Sequence, residues 1–450
     1  MAFELSPADK KAVLRFMTEQ RDYMEDRIKH GIETNRKGFV KLKFMDAEGT
    51  PINNVKLSIK QKTHDFKFGC NFFKYKCYPT EETNALYEER FKKLFNLAVV
   101  PFYWSDFEPE EGKMRFEKDS IFIDRRPPSE AILEFCKENN IEPKGHPLFW
   151  GTFLPKWLPK DFEQIKPHIV RRLKAISERY DGVIPSFDCV NEALTLPILS
   201  NEMEPKASDY RNALPISEEF PEYMFKKADR FFHESRLIIN EAGGHWGNGL
   251  TKKQRMPFYM LIENLMLKGC RIDEIGLQYH IFSQAKDLPN LAETHFNPKE
   301  IYTVLDTFGE FHKPISISEI TVNGYDEELQ EELIYNLYRM WFSHAAVTSI
   351  VYWNLGENGA IENDTGWSER QFKGGLIRDD FSERPAYKVL DRLINNEWKT
   401  NIDAVTGEND HYWFKGFYGD YEIVATIDGK EIKRDIRFTK STFDEFTFIF

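Results

Sequence analysis

Two glutamates, Glu192 and Glu319, each stand at the end of a short apolar run. Glu192 follows Phe187, Cys189 and Val190, and Glu319 closes Pro314-Ile315-Ser316-Ile317-Ser318, so both are expected to project from a buried wall. Burial raises a carboxyl pKa, and a second carboxylate nearby drives the two values apart, leaving one group protonated and the other charged. That is the pair acetal cleavage requires: a proton donor for the leaving oxygen and an anion for the oxocarbenium-like carbon. A separation of about 5–5.5 Å gives retention of configuration. Asn191 adjoins Glu192 and could hold a sugar hydroxyl next to the reacting carbon. Asn240-Glu241 repeats the Asn-Glu wording, which makes Glu241 the rival, read here as an electrostatic or structural partner in the substrate site. His146, Gln278 and His280 supply further polar contacts, and Trp150, Trp353, Trp367 and Tyr103 are candidate sugar platforms, although any ring could instead be core. The histidines could also be metal ligands; with no HxH or HExxH in the chain, no metal and no cofactor is expected.

These residues must be brought to one place. From residue 64 to 397, short apolar runs alternate with amphipathic stretches. The strand candidates are Asp65–Phe72, Ala98–Trp104, Glu142–Trp150, Ser186–Asn191, Arg236–Asn240, Glu274–His280, Pro314–Ile320 and Ser349–Leu355. A helical stretch follows each, among them Thr80–Leu94, Ser129–Asn139, Asp161–Tyr180, Glu218–Glu234 and Glu327–His344. Such alternation predicts an α/β fold, a (β/α)8 TIM barrel, which gathers the residues at its strand ends around one mouth. A doubly wound sheet is the competing architecture, but no GxGxxG follows any strand.

The flanks differ in texture. Residues 1–35 carry a helical segment, with apolar periodicity over 7–34. Residues 39–45 and 55–60 alternate apolar with polar around Glu48-Gly49-Thr50-Pro51, which predicts a β-hairpin. The last fifty residues alternate likewise, with Asp428-Gly429 as a primed turn. A hairpin is marginal alone, so residues 36–63 and 398–450 are expected to join into one small β-sandwich beside a barrel of residues 64–397.

The chain has 450 residues, of which 41% are apolar and 15% aromatic, and a formal charge of −12. Those values predict a globular protein that binds no nucleic acid, and the aromatic share is a first clue to a carbohydrate partner, although most of the Phe rings are expected in the core. No run approaches the ~18 apolar residues of a membrane span. Met1–Lys11 has neither a basic nor an apolar leader region, which reads as cytoplasmic, or as secreted if a leader has been removed. Cys70, Cys77, Cys136, Cys189 and Cys270 are odd in number and widely spaced, and read as buried free thiols. Oligomeric state is left open.

Several stretches resemble glycoside hydrolase family 10, the retaining β-1,4-xylanases: Phe68-Gly69-Cys70-Asn71, Gly145–Trp157, Phe187–Ala193, Gly276–His280, Ile317–Val322 and the tail Gly374–Leu390. The resemblance implies Glu192 as acid/base, Glu319 as nucleophile, Asn191 as the 2-hydroxyl contact, His146 and Gln278 as sugar binders, His280 as partner of the nucleophile and Trp353 as floor of the glycone side. It implies xylan or xylo-oligosaccharides as leading substrate. The chain also departs from the family pattern. Where Glu-Asn-x-x-Lys-Trp is usual it has Val99-Val100-Pro101-Phe102-Tyr103-Trp104, Gly151 and Phe153 replace a His and a Gln, and Thr321 stands where Asp is common. Losing hydroxyl contacts should redirect specificity more than abolish chemistry. A β-glycosidase acting on a decorated oligosaccharide or an aryl or plant-metabolite glycoside is therefore the alternative. A non-catalytic carbohydrate-binding barrel is the reading from another class, against which both carboxylates of the pair are present.

Overall fold

A computed structural model describes residues 5–194, 220–361, 368–442 and 444–450. Its centre is a closed barrel of eight parallel strands: β1 (Lys67–Asn71), β2 (Leu97–Pro101), β3 (Glu142–His146), β4 (Ser186–Asn191), β5 (Arg236–Glu241), β6 (Glu274–His280), β7 (Ile315–Thr321) and β8 (Val347–Tyr352). Each pairs with its sequence neighbours, β8 returns to β1, and β3 meets β4 through Lys144 opposite Ser186 and Gly145 opposite Phe187. β4 and β7 are buried at every position, because helices cover one face and the barrel interior the other. Gly145 is dictated by that interior: a Cβ there would come 2.1 Å from Cδ1 of Phe187.

Several of the helices between strands start where a side chain caps them. Asp161 accepts from Gln164 N at 3.1 Å to open Phe162–Tyr180, and Asp326 accepts from Leu329 N at 2.9 Å to open Glu327–Ser343. Of the expected helix Glu218–Glu234, the described part runs Phe220–Ala228. The N-terminal segment is three helices rather than one, Pro7–Val13, Arg15–Glu19 and Arg21–Asn35. Their buried Val13, Met17, Met24 and Ile28 belong to the barrel's own apolar core, and Arg27 pairs with Asp306 at 2.9 Å.

The two ends of the chain build a second, separate core. Strand Lys37–Met45 lies between His411–Phe417 and Glu445–Ile449, while Lys56–Gln61 lies between Asn401–Val405 and Gly419–Ile427, to which Lys430–Phe438 adds an edge. The expected hairpin of residues 39–45 and 55–60 is therefore corrected, since its two strands sit in different sheets. Side by side, both apolar faces would have needed an outside cover. Stacked across about 10 Å, they cover each other, and Val40, Leu42 and Phe44 share one core with Val55, Leu57 and Ile59. The Asp428-Gly429 turn is primed as expected, with φ of 49° and 81°. Cys70, Cys136, Cys189 and Cys270 are buried free thiols, and Cys77 is only partly buried. Among the described residues, no helix is long and apolar enough to cross a membrane.

Candidate active site

The barrel's parallel register sets neighbouring polar residues opposite one another. Asn191 of β4 lies opposite Asn240 of β5, and Glu319 of β7 opposite Gln278 of β6. Both β4 and β7 carry register shifts just before these positions, a device that re-aims side chains at a barrel mouth. Glu192 then leaves β4 in the left-handed region, at φ 55°, strained for a residue with a Cβ.

One amide holds the centre. Asn240, fully buried, donates from Nδ2 to Asn191 Oδ1 and to Glu319 Oε1, both at 2.7 Å, while its Oδ1 accepts from the Ser318 hydroxyl. Gly276 makes room for it, since a Cβ there would fall 2.4 Å from Asn240 Oδ1. Gln278 Nε2 donates to Asn191 Oδ1 at 3.1 Å and to Glu192 Oε1 at 3.3 Å, and Trp150 Nε1 donates to Glu192 Oε2 at 3.1 Å. Gln278 Oε1 is buried without a donor among the described residues. His280 Nε2 lies 3.2 Å from Glu319 Oε2, and its Nδ1 lies 2.9 Å from the Thr321 hydroxyl.

The two carboxyl groups differ in electrostatic setting. Burial, then the negative charges of Glu319 and Glu241, push Glu192 up to about 8, against which Gln278 and Trp150 give only partial relief. Glu319, 4% exposed, instead receives Asn240 and His280. Behind it, His146 Nδ1 is 2.7 Å from Asp188 Oδ2 and 3.9 Å from Glu319 Oε1, and Lys144 Nζ is 3.0 Å from Asp188 Oδ1. Burial alone would raise the Asp188 carboxyl, but the Lys144 charge and the His146 bond together hold it below its usual value.

The other side of the mouth is aromatic. Phe73, Tyr103 and Trp353 form an apolar cluster with Trp150 and Phe153 packed on it. Trp353 meets His146 and His280 edge-on at centroid distances of 5.3 and 6.0 Å, and Trp150 stacks on Phe153 at 5.2 Å. The Arg126 guanidinium lies 3.8 Å above the Tyr103 ring.

The fold thus gathers Glu192, Glu319, Asn191, His146, Trp150, Gln278, His280, Trp353 and Tyr103 at one mouth. Glu241 is close enough to act on Glu192 by charge, yet its oxygens accept from the Leu194, Ala242 and Gly243 backbone N–H groups at 2.7, 2.9 and 3.2 Å. These bonds support its reading as an electrostatic and structural partner. Trp367 lies outside the described residues. Sequence reasoning missed Asn240, Asp188 and Arg126. Asn240 carried a signal, because it ends β5 as Asn191 ends β4, and so did Asp188, which shares the alternation of Glu192. Arg126 carried none, since it comes from a loop. Among the described residues, no three His, Cys, Asp or Glu side chains are grouped to hold a metal ion.

The family model for glycosyl hydrolase family 10 matches residues 58–392. The chain belongs to this family. Among curated relatives it is 25% identical over 410 residues to "Anti-sigma-I factor RsgI6" of Acetivibrio thermocellus, covering 90% of this chain and 47% of that protein. It is 23% identical over 442 residues to "Endo-1,4-beta-xylanase 1" of Arabidopsis thaliana, covering 96% of this chain and 40% of that protein. The chain therefore spans less than half the length of these two relatives. Among solved structures, xylanase 10B of Thermotoga petrophila, crystallised with xylobiose, superposes with a TM-score of 0.56 at 19% identity over 74% of this chain and 95% of the other, a likeness of fold.

Proposed function

We propose that this family 10 chain is a retaining β-glycoside hydrolase in which Glu192 is the acid/base and Glu319 the nucleophile, with β-1,4-linked xylan or xylo-oligosaccharides as leading substrate. The observation that carries the reading is the asymmetry of the pair. One carboxyl is held protonated near neutral pH while the other accepts two hydrogen bonds, and both join a single amide network.

In the first step a Glu319 oxygen attacks the anomeric carbon as Glu192 gives its proton to the departing glycosidic oxygen. The C–O bond to the aglycone breaks and an ester to Glu319 forms. Glu192, now an anion, takes a proton from water, and the resulting hydroxide equivalent displaces Glu319 from the sugar, so both carboxyl groups return to their starting states. Asn240 and His280 fix the nucleophile's two oxygens. The unfilled acceptor Gln278 Oε1 is suited to a sugar hydroxyl.

A second reading keeps the mechanism and changes the substrate to an aryl or decorated glycoside. It is favoured by one observation, the rings of Phe73, Tyr103, Phe153 and Trp150 lining the glycone side. Product analysis over xylans, mixed-linkage glucan and aryl β-glycosides decides between the two. Glu192→Gln and Glu319→Gln are each expected to lower kcat by about 10³-fold or more with the melting temperature maintained; undiminished turnover in either variant removes the assignment. Binding of oligosaccharide without any turnover by the wild-type protein would favour a non-catalytic sugar-binding barrel.

A further inference from the structure

Where the β-sandwich meets the barrel, the surface opens into a cavity of about 410 Å³. Its barrel wall comes from strand starts, Asp65 and Phe66 just before β1 and Thr348 in β8, so it lies at the end of the barrel opposite Glu192 and Glu319. The sandwich contributes Arg437 and the turn of residues 439–442. Three cations, Arg36, Arg437 and Lys440, line this cavity in a chain whose formal charge is −12. Arg437 is matched, with Nη1 3.2 Å from Asp420 Oδ1 and Nη2 3.4 Å from Asp65 Oδ1. Arg36 and Lys440 are not. Arg36 is 8% exposed, lies 4.6 Å from the centroid of the Phe66 ring and forms no ion pair among the described residues. Its Nε and Nη2 donate to the carbonyls of Phe342, His344 and Val347, where the helix Glu327–Ser343 ends. A helix end offers only about half a negative charge. Nη1 has no hydrogen bond among the described residues. Lys440 forms no ion pair among them either, and its turn is pinned, with the Thr439 N–H donating to Thr442 Oγ1 at 2.7 Å and the Ser441 N–H to Thr439 Oγ1 at 3.3 Å. Burial, then the charge of Arg36, hold the Lys440 ammonium below its usual value, so the two cations feel each other across the cavity. Asp65 is the carboxylate whose charge reaches both, and Arg437 already holds it.

Two cations without a counter-charge, one of them buried, make the cavity a receptor for an anion. We infer that Arg36 and Lys440 form a binding site for a phosphate group carried by a small molecule, at the joint between barrel and sandwich. A carboxylate would neutralise one of the two charges. A phosphate monoester, at about −1.5 to −2 near neutral pH, matches both. The free arm of the guanidinium and the ammonium reach its oxygens from the two walls, each through a charge-assisted hydrogen bond. The cavity exceeds by more than tenfold the about 30 Å³ that a water molecule takes up in the liquid, which leaves room for a sugar-sized body beside the phosphate. The site is independent of the reading given to Glu192 and Glu319.

Calorimetric titration of the full chain with glucose 6-phosphate, inorganic phosphate, acetate and glucose, at matched ionic strength, tests the inference. Glucose 6-phosphate is expected to bind saturably and about tenfold or more tighter than acetate or glucose, with the gap narrowing as salt is raised. Lys440→Ala should weaken that binding about tenfold, and Lys440→Arg, which keeps the charge, should retain most of it. Because Lys440 is exposed, both variants should keep the melting temperature of the unliganded wild type. An ester that binds more tightly than inorganic phosphate supports the site and shows that the sugar body is held as well. Equal affinity for the two supports the site with the free ion as its ligand. Absence of saturable binding by both phosphate compounds, acetate binding as tightly as phosphate, or an affinity unmoved by Lys440→Ala overturns the inference.

Discussion

The cleft has two halves built on opposite economies. The half made by β4 to β7 is a polar network: Asn240, Gln278 and His280, with Trp150 from the segment after β3, each donate to an oxygen of Asn191, Glu192 or Glu319. The half made by β1, β2, β8 and the loops after β2 and β3 is aromatic, with Phe73, Tyr103, Phe153 and Trp353 in place of donors and guanidiniums arriving from a loop. On the proposed function, the difference teaches that bond cleavage and sugar choice are physically separable. A proton donor and a nucleophile demand fixed geometry, which a hydrogen-bonded network on strands supplies. Selectivity can be rewritten by exchanging side chains that do not touch that network.

Breaking the polar half should have the larger consequences. Asn240→Ala takes a donor from Glu319 and from Asn191 at once, and is expected to lower kcat by about 10²-fold while costing about 1–3 kcal/mol in stability. Steady-state kinetics beside a denaturant titration checks it, and a change in KM alone would count against Asn240 as the holder of the nucleophile. The pH profile comes next. Because Glu192, as the proposed proton donor, must carry its proton to act and is pushed up to about 8, kcat/KM should fall as pH rises through that value. Glu241→Gln removes a negative charge that favours protonation of Glu192, so the basic limb moves to lower pH. A limb that stays in place contradicts the charge coupling. Thr321→Asp would set a carboxylate beside His280 Nδ1 in place of the hydroxyl and is expected to alter kcat by only about threefold in steady-state kinetics.

The aromatic half should respond less and differently. Phe153→Gln places a hydroxyl partner among the rings and is expected to improve kcat/KM for unbranched xylo-oligosaccharides over aryl glycosides by about threefold to tenfold, with kcat nearly constant. A matching loss of kcat on every substrate would show that the two halves are coupled after all.

Much of the barrel was legible because its strands are short, buried on both faces and separated by capped helices. β4 and β6 have the limits read from sequence, Ser186–Asn191 and Glu274–His280. The N-terminal hairpin was misread for a related reason. Alternation reports that a strand has one buried face, and it is silent on whether the cover comes from beside it or from the opposite sheet, so residues 39–45 and 55–60 could be placed in either arrangement.

Sequence by itself determined the alternation of strands and helices, the membership of the barrel, and the placing of Glu192, Glu319, Asn191, Gln278 and His280 at strand ends, since periodicity and strand limits are local properties of the chain. Only the tertiary structure decided that Asn240 bridges Asn191 to Glu319, that burial and the charges of Glu319 and Glu241 push the Glu192 carboxyl up, and that Arg125 from a distant loop lies against Asn354. Those facts depend on strand register, on burial and on the sum of charges from separate segments, and no local pattern encodes them.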